Sequence, residues 1–130
     1  MSIIRNIDNK KNLVTLTCNG VLPKGSIREA FIKMLDDPAF RPGANILWDF
    51  RNIQAVGPSE QQIIDFVTMV RENQMRRGSN YKVAMIVDND LYHGLIRMFQ
   101  AHSDTLLPLE VMSFRTEDDA YRWLDETNGG

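Results

Sequence analysis

Apolar and polar positions change period several times along the 130-residue chain, and each change marks a new element. "SIIRNID", the polar "NKKN" and "LVTLTCNG" read as two strands around a turn, a hairpin with partial two-residue alternation. In "PKGSIREAFIKMLDD", Ile27, Ala30, Phe31, Met34 and Leu35 recur at helical spacing. Ser26 followed by Glu29 has the form of a capping box, and Pro38 and "RPG" end the segment. "NILWDF" is a nearly continuous apolar run, as expected of a strand covered on both faces. "EQQIIDFVTMVRENQMRRG" returns to helical spacing through Ile63, Phe66, Val67 and Val70. Arg76 and Arg77 then suit the negative helix end, and Gly78 the C-terminal cap. "YKVAMIV" predicts a buried strand, "LYHGLIRMFQAHS" a helix with Leu91, Leu95, Met98 and Phe99 inward, and "EVMSF" the last strand. "TEDDAYRWLDET" predicts a final helix with Ala120, Trp123 and Leu124 on its apolar face.

The expected order is β-β-α-β-α-β-α-β-α. Strands and helices that alternate over short links favour an α/β fold with a largely parallel sheet. One domain spans 1–130, and only 127–130 reads as a disordered tail. Composition agrees: 43% hydrophobic and 25% charged residues suit a soluble globular protein with an independent core. A net charge of -2 argues against a nucleic-acid surface. The "RENQMRRGSNYK" stretch is locally basic but includes Glu72. No run approaches the ~18 apolar residues of a membrane span, and the N-terminus has no signal-like apolar run. The expected location is the cytoplasm, with no integral membrane association.

Chemistry-bearing motifs are sparse. Cys18 is the one cysteine, so neither an intrachain disulfide nor a thiolate metal cluster forms, and a buried, inert thiol is expected. His93 and His102 lie nine residues apart, about 180° around one helix, and cannot share a metal. Phosphate-loop, nucleophile-elbow, dinucleotide and zinc-protease motifs are missing. The expectation is no catalytic residue, no metal and no cofactor.

"YKVAMIVDND", "GLIRMF" and "VMSFRTEDDAYRWL", in that order and spacing, resemble the SpoIIAA-like (STAS-like) superfamily, and specifically its small single-domain bacterial branch. The resemblance runs from about Ile3 to Leu124. It implies a mixed, mostly parallel sheet of about five strands with four helices, akin in architecture to the CRAL/TRIO lipid-binding fold. The anti-sigma-factor antagonists of that superfamily carry Asp-Ser-Ser/Thr-Gly after the third strand, with the second hydroxyl phosphorylated. Ser59 falls on that hydroxyl position, while Gly57, Pro58 and Glu60 depart from the motif.

Ser59 therefore has two readings, a phosphosite or a helix cap. The residues favour the cap, because Ser59 and Gln62 form a Ser-x-x-Gln box and such a cap contributes about 1 kcal/mol. The same helix carries excess apolar surface. With its core face centred near Val67 and Val70, Ile64 lies about 100° to one side and Met69 about 120° to the other. Pro58, Ile64, Phe66 and Met69 are thus the candidate partner or ligand surface. Asp88 and Asp90 follow a strand end and Arg97 faces outward, so these three are candidate polar ligand contacts. The functional expectation is a non-catalytic binding or regulatory module acting through contact with a protein partner or as a homodimer. The alternative is a carrier or sensor of an apolar small molecule or lipid.

Overall fold

The computed structural model describes residues 2–21, 25–53, 60–78, 81–87, 97 and 109–126. Strands β1 (Ser2–Asp8) and β2 (Leu13–Gly20) form the expected hairpin, with Asp8 Oδ1 accepting the backbone N–H groups of Lys10 and Lys11. After them come α1 (Ser26–Asp36), β3 (Asn45–Ile53), α2 (Glu60–Glu72), the short α3 (Gln74–Arg77) and β4 (Tyr81–Ile86). Strand β5 (Leu109–Phe114) and helix α4 (Glu117–Asp125) complete the chain. Between β4 and β5 only Val87, which is buried, and Arg97, which is helical and exposed, are described.

The five strands lie in sequence order, β1-β2-β3-β4-β5, with β1 antiparallel to β2 and the other neighbours parallel. Right-handed crossovers between strands that advance in one direction place successive helices on one face. Accordingly α1 and α2 share a buried cluster, in which Phe31, Met34, Met69 and Val70 meet Val14, Leu16, Trp48, Val83 and Met85. Alternation along the strands turns the next residues the other way. Leu13, Leu47, Ala84 and Ile86 pack beneath Ala120 and Leu124 of α4 on the opposite face. Each large apolar side chain so buried contributes roughly 1.5–3 kcal/mol. Strand β4 lies between both clusters and is buried along its whole length, which explains its apolar run from Val83 to Ile86.

Helix α4 is held at both ends. Thr116 accepts the N–H of Asp119 as its N-cap. At the other end the buried Lys82 side chain donates to the carbonyls of Trp123, at 2.8 Å, and Glu126, at 2.9 Å. A cation there meets the negative end of the helix dipole.

Three local expectations are corrected. Helix α1 is capped by Gly25 at φ 87°, with no side-chain cap hydrogen bond, and Ser26 is its first helical residue. Glu29 pairs with Lys33 one turn on, at 2.7 Å, instead of closing a capping box. The single helix expected up to Arg77 breaks at Asn73, whose side-chain amide donates to the Met69 carbonyl and competes with the helical ladder. Arg77, expected at an exposed helix end, is fully buried. Its guanidinium lies 3.4 Å from the centre of the Tyr81 ring and 5.6 Å from that of Phe40. Gly78 does end the helix, as expected, at φ 91°; a Cβ there would run into the backbone of Pro42 and Gly43.

Candidate functional site

Strand β3 is central in the sheet and carries an acid, Asp49, between Trp48 and Phe50. The ladder to β4 ends at Asp49, and the register with β2 slips just beyond it. Thr17 pairs with Asp49 but Asn19 pairs with Asn52, so Phe50 and Arg51 stand opposite Cys18 alone. Such a bulge bends the strand and re-aims side chains, and bulges are common beside functional sites.

Asp49 stabilises the bulge. Its Oδ1 accepts the backbone N–H of Arg51 at 3.1 Å and the Arg51 Nε–H at 3.0 Å, while its Oδ2 accepts Nη2 at 2.6 Å. One carboxylate thus satisfies a backbone donor at the irregularity and grips one edge of the guanidinium with both oxygens. Arg51 also reaches Glu117 in the first turn of α4 and ties the central strand to that helix. Asp49 is only 6% exposed, so its charge depends on this pairing.

The electrostatics follow. Burial pushes the Asp49 carboxyl up, but the side-chain and backbone hydrogen bonds from Arg51 outweigh it and leave the group below the usual range. Asp49, with Glu117, holds Arg51 firmly protonated. Tyr121, one turn beyond Glu117, has its phenol raised by partial burial and by the charges of Glu117 and Asp49. Cys18 is fully buried, and burial together with the Asp49 charge pushes its thiol up to about 12. It is a thiol at neutral pH, not a nucleophilic thiolate.

Arg51 is committed to two carboxylates of its own chain. The arrangement is therefore chemically a scaffold, one that sets the rim where β3 leaves the sheet toward residues 54–59. Among the described residues, no group of three or more His, Cys, Asp or Glu side chains is placed to hold a metal ion. No described helix is long and apolar enough to cross a membrane.

The sequence-derived candidates are only partly visible. Ser59, Pro58, Asp88, Asp90, His93 and His102 lie outside the described residues, as does the side chain of Phe66. Helix α2 begins at Glu60, the residue after Ser59. Ile64 is half-buried. Met69, expected on the flank of the helix, is instead buried at 4% exposure in the cluster beneath α1 and α2. Met75 in the next helix is almost wholly exposed. Asp49, Arg51 and Glu117 were missed by sequence reasoning. The available signal was an acid inside an otherwise apolar central strand, where a charge needs a partner.

No family model matches the chain, and no curated protein matches it. Among solved structures, it is similar to an uncharacterised protein of the DUF3478 family with a SpoIIAA-like fold, from Shewanella loihica PV-4. The TM-score is 0.59 at 17% sequence identity, and the match covers 95% of this chain and 92% of that one. An identity so low speaks to architecture alone: with its five-stranded, mostly parallel sheet and flanking helices, the chain has the SpoIIAA-like fold.

Proposed function

We propose that the chain is a non-catalytic binding module of the STAS type, working in the cytoplasm through contact with a protein partner. The contact surface is the rim at the C-terminal end of β3, where the 54–59 connection leads into α2. The observation that carries this reading is the Asp49–Arg51–Glu117 linkage. It spends three charged side chains on holding the shape of that rim and joins it to α4, while the one cysteine nearby is buried and protonated. Among its described residues, a site so built presents a surface and commits its charges to one another. Ser59 lies outside the described residues; this reading keeps it as the cap its sequence suggests, next to Glu60, where α2 begins.

The test is affinity capture from the native cell with tagged full-length protein. Wild type and Ser59→Ala should retain the same partner, with Ser59→Ala losing only about 1 kcal/mol of stability. Ser59→Asp should retain at least tenfold less of it. No partner, or equal retention by Ser59→Asp, contradicts the reading. Native mass spectrometry of the same preparation should give the apo mass. A lipid adduct would point instead to a carrier of apolar ligands.

A further inference from the structure

The Arg77 guanidinium is fully buried, and its charge meets no carboxylate among the described residues. The Tyr81 ring lies against it, 3.4 Å from ring centre to guanidinium carbon, and the Phe40 ring is 5.6 Å away. The guanidinium edges are where hydrogen bonds form, and there only Nη2 is satisfied, by the carbonyl of Ala44 at 2.5 Å. Nε and Nη1 are buried with no acceptor within reach among the described residues. Tyr81 supplies no counter-charge at neutral pH, since burial raises its phenol to about 12. A ring face attracts a cation but does not take up in-plane N–H groups. A buried ion with neither a counter-charge nor a full set of hydrogen bonds is costly, and buried charges are ordinarily paired.

The neighbourhood is otherwise firmly built. The Arg77 carbonyl accepts the N–H of Gly43 at 2.7 Å, and Gly78 packs against that same backbone. The guanidinium is therefore held in place by the junction of α3, β4 and the loop before β3, and cannot swing into solvent without opening that junction.

We infer that the free edges of the Arg77 guanidinium hold a small monovalent anion, chloride in size, as an internal counter-ion. The size follows from enclosure: the Tyr81 ring lies against the guanidinium with Phe40 nearby, a backbone carbonyl takes one nitrogen, and the residue has no solvent exposure. A spherical halide accepts several N–H groups from any direction, which suits two orphaned donors on different nitrogens. This site is independent of the β3 rim and of any protein partner bound there.

Thermal unfolding of the full chain tests it. Sodium chloride is exchanged for sodium gluconate at constant ionic strength, gluconate being too large to enter. Between ~10 and ~300 mM chloride the melting temperature of wild type should rise by about 3–6 °C, as mass action gives for a site half-filled near ~10 mM. Arg77→Met should show no difference between the salts. Equal melting of wild type in both salts, or the same chloride increment in Arg77→Met, overturns the inference. Should Arg77→Met fail to fold, bromide-soaked wild-type crystals decide. An anomalous peak within hydrogen-bond reach of Nε or Nη1 upholds the site, and a water molecule or nothing there overturns it.

Discussion

Asp49 grips Arg51 twice over, by its guanidinium and by its backbone N–H. The relationship is unusual in being local, two residues apart on one strand, yet it controls a long-range join. By fixing the bulge it aims Arg51 across the sheet at Glu117. Removing the two partners should therefore have unequal consequences. Arg51→Ala leaves the buried Asp49 carboxylate without its cation and the bulge without its tie to α4. A loss of about 2–4 kcal/mol is expected in urea unfolding. Asp49→Asn keeps an acceptor for the backbone N–H and leaves Arg51 paired with Glu117, so it should cost less, about 1–2 kcal/mol. The reverse order would mean that Arg51 is not what keeps Asp49 charged.

The same pair gives a pH dependence of fixed sign. The folded-state carboxyl of Asp49 lies below its ordinary value, so the unfolded chain takes up the proton first. Its contribution to stability is complete above about pH 4 and falls away as pH drops through the lower, folded value. Asp49→Asn should show a shallower loss of stability than wild type below pH ~4, and the same slope above it. The readout is the urea midpoint across that range.

Two glycines separate conformational strain from steric contact. Gly25 and Gly78 both have φ near +90°, but a Cβ on Gly25 meets open space whereas one on Gly78 meets the Pro42–Gly43 backbone. Gly25→Ala should cost only the left-handed backbone strain, about 1–2 kcal/mol. Gly78→Ala should cost more, about 3 kcal/mol or beyond, because the strand junction has to move as well. Chemical denaturation of the two variants measures the difference directly.

Cys18 should behave as a reporter of unfolding. With its thiol raised to about 12 and no exposed surface, it should not react with a disulfide reagent in the native protein at pH 8. Labelling should proceed at the rate of opening and become immediate in denaturant. Rapid stoichiometric labelling of the folded chain would show an accessible thiolate and reopen the question of chemistry at this end of β2.

Much of the architecture was legible because alternation and helical spacing are written locally. "YKVAMIV" and the stripe through Phe31, Met34 and Leu35 became a buried strand and a buried helix face, as their patterns require. What stayed hidden depended on distant residues. Ser26 has the chemistry of a cap, but the chain enters α1 through Gly25 in the left-handed region and Glu29 finds Lys33. Met69 lies off the centre of its helical stripe, yet packing beneath α1 and α2 buries it. Arg77 reads as an exposed cation at a helix end, and only the placement of Phe40 and Tyr81 beside it shows otherwise. The Asp49–Arg51–Glu117 linkage joins residues 66 positions apart, and no short motif announces such a join.

The rim at the end of β3 is the centre of the functional account, and a hydrogen-exchange footprint tests it most directly. Full-length protein should be measured alone and in complex with the partner recovered by affinity capture. The account predicts that binding protects Arg51–Ile53 and the first turn of α2. Protection confined to the opposite end of the sheet, around Pro42–Ala44 and α3, would contradict it.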